Sequence, residues 1–142
     1  MERKPTLSIA VAYPTARAGR ENFRELLDAA GNGLPATVVR DSRTVAAVDG
    51  ERFLAFLMAT STAQVTAVNE NGGWSLFFPG LPIAADGNTF DEACDELVAA
   101  LRDYAEAWVE RLRLAPNHAD NWGLVQLVAL ASDAQLRDWI TR

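Results

Sequence analysis

The chain holds one cysteine and one histidine in 142 residues. A lone Cys94 excludes an intramolecular disulfide framework and any cysteine-rich zinc module. His118, in the loop Pro116-Asn117-His118-Ala119-Asp120, has no partner nucleophile or pocket in the sequence for acid–base work. It is expected to anchor its loop or simply lie exposed. No apolar run approaches the roughly 20 residues of a membrane span. The N-terminal stretch has no hydrophobic block followed by a small-residue cleavage site, so a soluble cytoplasmic chain with no membrane contact is expected. Positive charge is scarce as well: 13 Lys and Arg stand against 19 Asp and Glu, a net of −6, which excludes a uniformly basic nucleic-acid coat. Gly31, Gly33, Gly72, Gly73, Gly80 and Gly87 make no phosphate-loop spacing.

What is present is globular composition, 49% apolar and 23% charged, with its charge unevenly placed. Through Met58 there are eight Lys and Arg against seven Asp and Glu; from Ala59 onward there are five against twelve. The halves thus carry +1 and −7, as two units with different partners would. The small polar stretch Thr60-Ser61-Thr62-Ala63-Gln64 reads as a linker between units 1–59 and 64–142. Units of this size have marginal hydrophobic cores, so both are expected to associate with a second copy or another protein.

The first unit reads as strand, helix, hairpin and helix. Leu7 to Tyr13 alternates like a half-buried strand, and Thr15 is placed to cap a helix from Ala16. Phe23, Leu26, Leu27 and Ala30 give that helix an apolar stripe, and Gly31-Asn32-Gly33 ends it. Pro35–Arg40 and Thr44–Val48 form a hairpin about Asp41-Ser42-Arg43, and Glu51–Met58 a second helix. Arg17, Arg20 and Arg24, three and four apart, share one face of the first helix. Its first turn offers backbone N–H groups to phosphate. The spacing alone favours a solvated face on which Glu21 and Glu25 supply ion pairs, since surface arginine is common.

The second unit is a different α+β module. Gln64–Glu70 and Trp74–Phe78 flank the turn Asn71-Gly72-Gly73, and Ile83–Gly87 offers a third strand. Thr89 and Glu92 are spaced as a capping box for a long helix whose apolar positions run from Phe90 to about Arg113. Ser132 and Gln135 open a terminal helix through Trp139 in the same way. Leu124–Val128 fits a strand or a helix. Cys94 falls on the apolar stripe and is expected to be a buried small hydrophobe rather than a nucleophile. Trp108, Trp122 and Trp139 read as core or as interface anchors.

Two resemblances attach to these segments. Ala16-Arg17-Ala18-Gly19-Arg20-Glu21-Asn22-Phe23-Arg24-Glu25-Leu26-Leu27-Asp28, Pro35–Asp41, Ser42–Val48 and Asp49–Phe53 together resemble the N-terminal domain of Phd/YefM antitoxins. That resemblance implies a homodimer or higher homo-oligomer that binds operator DNA. It puts the DNA contacts mainly on Arg17 and Arg20, with Lys4 and Arg3 before them as lesser candidates; Arg24 joins them by its spacing on the same helix face. Asp41-Ser42-Arg43 replaces the Arg-Arg-Gly-Lys-type turn of many members. Gly73–Pro82 followed by Asp86–Ala93 resembles a HicB antitoxin domain, with Gly80 for the usual Asp and Ile83 for the usual Gly. It implies a partial RNase-H-like unit, βββαβ(α), with Leu124–Val128 as the fourth strand. Asp86, Asp91 and Asp95 fall on a turn and one helix, not on the facing strands of a metal nuclease.

Together these readings imply no enzyme, no metal and no cofactor. They imply the antitoxin of a type II toxin–antitoxin pair that blocks a cognate toxin and represses its own operon. The toxin is expected to be RelE/ParE-like, or else HicA-like, and drawn to the −7 unit. The alternative is a stand-alone DNA-binding regulator whose second unit senses a small molecule.

Overall fold

The computed structural model describes residues 10–142, so Arg3, Lys4 and Leu7–Ile9 of the expected first strand lie outside the described residues. Internal contacts divide the chain into two compact units, one ending at Phe53 and one running from Leu54 to Arg142.

The first unit is a three-stranded sheet with two short helices in its crossover. Strands β1 (Val11–Tyr13), β2 (Ala36–Arg40) and β3 (Arg43–Ala46) lie in that order, with β1 parallel and β3 antiparallel to the central β2. The β2–β3 turn is two residues, Asp41 and Ser42, with φ of 50° and 61°. That left-handed pair matches the twist of a tight hairpin and sets Arg40 opposite Arg43.

The expected single helix is two: α1 (Ala16–Glu21) and α2 (Phe23–Gly31). Thr15 caps α1 as expected, its side chain accepting from the Ala18 N–H at 3.1 Å. Asn22 makes the break. Its Nδ2 and its backbone N–H both donate to the Ala18 carbonyl, which closes α1, while its own carbonyl accepts from Leu26 N and opens α2. A short polar side chain that bonds local backbone competes with helix continuation at this point. Leu26, Ala29 and Ala30 of α2 pack on Ala36 with Val11, Tyr13 and Val38 beside them. The other half of the expected stripe stays out: Phe23 is 57% and Leu27 50% exposed. Gly19 lets α1 approach the sheet, since a Cβ there would lie 2.9 Å from Val38 Cγ2.

Helix α3 (Gly50–Thr60), capped by Asp49 Oδ2 accepting from Arg52 N, spans the expected Glu51–Met58 and two residues beyond it.

In the second unit β4 (Thr66–Glu70), β5 (Gly73–Phe77) and β6 (Ala84–Gly87) form an antiparallel meander in chain order. The β4–β5 turn places Asn71 at φ 53° and Gly72 at φ 77°, as the Asn-Gly pair predicts. Helix α4 (Phe90–Glu110) packs on β5 and β6 and buries Ala93, Cys94, Leu97, Leu101 and Tyr104. Thr89 caps it at Glu92 N, but the return bond from Glu92 goes to the Asn88 N–H instead of that of Thr89. The helix ends three residues short of Arg113, in a 3-10 turn at Leu112–Leu114.

The expected fourth strand is a helix, α5 (Trp122–Leu130), followed by α6 (Asp133–Ile140). Leu124–Val128 therefore does not complete a βββαβ unit. The run is apolar except for the exposed Gln126 at its centre, a pattern too short to separate a buried helix from a buried strand. Val125, Leu127 and Val128 are buried, and α5 packs on α4. The Ser132–Gln135 capping box of α6 is complete in both directions. Trp139 is buried, stacks on Phe78 at 6.1 Å, and its indole N–H donates to the Ser61 carbonyl at 2.7 Å.

Candidate functional site

In the first unit the candidate residues are Arg17, Arg20 and Arg24, all exposed. The break at Asn22 divides them. Arg17 and Arg20 stand on α1, and Arg24 stands on α2, so the three are not on one continuous helix face. Arg17 Nε donates to Glu21 Oε1 at 2.9 Å, with both side chains well exposed. Such a pair holds by well under about 1 kcal/mol and yields readily to a phosphate. Among the described residues Glu25 has no ion-pair partner; it accepts from the Tyr13 hydroxyl at 2.8 Å. The phenol is held above its ordinary pKa of 10.0, by desolvation first and then by that bond and the carboxylate charge.

The sequence reading missed a second basic pair. Register puts Arg40 and Arg43 side by side at the tip of the β2–β3 hairpin, where both are exposed. The signal was available: a two-residue turn at Asp41-Ser42 makes residues 40 and 43 cross-strand partners.

In the second unit the charges are sorted by helix face. Arg137 of α6 binds Asp91 Oδ1 at 2.6 Å and also Asp95, so two carboxylates at the start of α4 share one guanidinium. Arg102 of α4 reaches Asp133 Oδ1 at 2.8 Å and the carbonyls of Val128 and Ala131 at the end of α5. Arg142 pairs with Asp138. Three of the five arginines are thereby taken up within the unit. Glu96 and Asp103 on α4 have no salt-bridge partner among the described residues.

The remaining polar candidates are structural. The Tyr104 hydroxyl lies 2.8 Å from His118 Nδ1 and accepts from Asn121 Nδ2 at 2.9 Å, while Trp108 Nε1 donates to the His118 carbonyl. His118 thus ties its loop to α4. Cys94 is fully buried, and burial pushes its thiol pKa up, against the lowering effect of Arg137. A thiol so placed is a poor nucleophile. Among the described residues no group of three or more His, Cys, Asp or Glu side chains is placed to hold a metal ion. None of the described helices is long and apolar enough to cross a membrane. A recess of about 260 Å³ lined by Phe78, Leu127 and Trp139 lies below the usual range of small-molecule sites.

A family model, PHD-like, described as the antitoxin of a RelE/RelB toxin–antitoxin system, matches residues 14–139 and so runs through both units. No curated protein matches the chain significantly. The fold is shared with a crystal structure from Syntrophomonas wolfei subsp. wolfei, described as the antitoxin part of a proposed toxin/antitoxin system. That likeness has a TM-score of 0.78 at 18% identity and covers 89% of this chain and 94% of the other.

Proposed function

The chain belongs to the PHD-like family of antitoxins of RelE/RelB toxin–antitoxin systems, and on that premise we propose that its two units divide the work of neutralisation and autorepression. The acidic second unit binds a RelE-type toxin directly. The first unit pairs with a second copy and holds operator DNA through Arg17 and Arg20, with Arg24 on the adjoining helix. Both act in the cytoplasm. An antitoxin family implies no enzymatic step, and the chain acts by occupying surfaces.

One observation carries this reading: the charge asymmetry survives folding. The unit from Leu54 holds twelve carboxylates and five arginines, and three of those arginines are engaged in internal ion pairs. A protein that must hold RNA phosphates presents basic residues, which such a surface attracts and covers. In the first unit Arg17 and Arg20 stand exposed on one short helix, suited to backbone phosphates. The exposed Phe23 and Leu27, one turn apart on α2, supply the apolar ridge for self-association. Because the fourth strand of a HicB-like unit is replaced by α5 and one family spans both units, a RelE-like partner is favoured over a HicA-like one.

Co-expression of the full chain with the reading frame beside its gene tests the proposal. Growth rescue with a co-purifying complex, together with binding to the operon's own promoter DNA, is expected. Promoter binding with neither toxicity nor complex would leave a stand-alone regulator.

A further inference from the structure

We propose that the open edge of β6 and the adjoining face of α4 form the toxin-binding groove, and that its occupant is an extended basic segment of the toxin added as a further strand. The inference rests on the antitoxin reading and specifies the surface that performs it.

The edge is defined by register. Among the described residues β6 pairs with β5 alone. Phe78 N donates to the Ile83 carbonyl at 3.0 Å, and the pairing Leu76↔Ala85 and Trp74↔Gly87 continues at every second residue. In an antiparallel ladder, alternate residues turn their backbone groups inward. The N–H and C=O groups of Ala84 and Asp86 therefore face away from β5 toward the open edge. A groove of about 670 Å³ runs there, between β6 and the side of α4 that carries Glu92, Glu96 and Asp103. Its floor is small, with Ala99 and Ala100 on the helix, so a backbone can approach closely.

Charge selects the occupant. Glu92, Glu96 and Asp103 line the groove together with Asp86, whose carboxylate accepts from Ser75 Oγ at 2.6 Å, and among the described residues no Lys or Arg does. Asp91 and Asp95, on the same helix outside the groove lining, are both held by Arg137, which opposes part of their charge. The groove carboxylates are too dispersed for a metal ion, since no three acidic groups among the described residues come together to hold one. They suit a distributed cation. Along α4, Glu92 and Glu96 are about 6 Å apart and Asp103 about 10 Å further on, at 1.5 Å per residue. Alternate side chains of a strand repeat at about 6.6 Å, so basic residues two apart in an extended segment meet Glu92 and Glu96 in turn.

The test uses the full chain and the polypeptide encoded beside its gene. Glu96→Lys with Asp103→Lys, at exposed positions with no salt-bridge partner among the described residues, is expected to weaken the complex by roughly 30-fold or more at low salt. Ala84→Pro removes an edge-facing N–H without touching the β5–β6 ladder and is expected to abolish growth rescue. Promoter binding should be unchanged in both variants. In the wild-type complex the Ala84 and Asp86 amides should gain protection from hydrogen exchange. Wild-type rescue with both variants equally active, or protection confined to Thr66–Glu70, overturns the groove alone. A wild-type chain that binds no toxin overturns the antitoxin reading, and the groove with it.

Discussion

Replacing Arg102 by methionine keeps the aliphatic stem of the side chain and removes the guanidinium that joins α4 to the end of α5. Arg102 donates to the Ala131 carbonyl at 2.8 Å and to the Val128 carbonyl, two of the acceptors that a helix C-terminus leaves unpaired. It also meets Asp133 Oδ1 at 2.8 Å, but that carboxylate is 79% exposed. A charged donor to a carbonyl is worth about 1.5–3 kcal/mol, and an exposed ion pair at most about 1 kcal/mol. Allowing for the partial exposure of Arg102, Arg102→Met should cost about 3 kcal/mol and Asp133→Asn well under 1 kcal/mol. For a unit of this size that difference lowers Tm by roughly 15 °C for the first variant and a few degrees for the second. Urea titration of both single variants and of the double variant separates the terms, because the cycle isolates the Arg102–Asp133 coupling. Equal losses in the two single variants would refute the argument, since the ion pair would then carry the stability and the carbonyls would not.

Gly87→Ala should be worse tolerated than its size implies. The new Cβ would stand 2.4 Å from the Ala93 backbone nitrogen, so α4 must shift, at a cost of about 3 kcal/mol readable as a lower urea midpoint. Arg17→Ala with Arg20→Ala should weaken promoter binding and lower its salt slope by roughly 0.9 for each phosphate no longer neutralised; an unchanged slope would remove both from the DNA face. Cys94 should resist a thiol reagent at pH 8 in the folded protein and react at once in urea. Its pKa is raised above the ordinary 9.0 in the folded state. Its contribution to stability is therefore intact below about pH 9 and is lost as pH climbs through the raised value.

Local chemistry was legible in the sequence wherever one residue type decides the backbone. Asn71-Gly72, Thr15, and Ser132 with Gln135 each perform their expected turn or cap, because each bond closes within a few residues. Asn22 shows the limit. It stands within a stretch whose apolar spacing is helical throughout, and only its competing bonds to Ala18 divide the helix. Leu124–Val128 shows a second limit, for five residues with one polar position, Gln126, carry too little periodicity to separate strand from helix. There the resemblance favoured a strand, and the packing against α4 produced a helix.

The net charge of −7 was equally plain from composition, but composition does not say which carboxylates face solvent unopposed. Arg137 lies 46 residues from Asp91, and Arg102 lies 31 from Asp133. Nothing in local sequence links them. Had those arginines instead reached Glu96 and Asp103, the same composition would have left the groove with half its charge opposed and Asp91 and Asp95 bare. A surface built by such long-range pairing is sensitive to the arrangement of the helices as well as to charge. Moving α6 away from α4, as Trp139→Ala would do by removing its stack on Phe78 and its bond to Ser61, should release Arg137 and dilute the charge pattern without altering net charge. Toxin affinity that falls in this variant while net charge is constant would separate pattern from total charge. Affinity that follows net charge alone would make the sorting irrelevant.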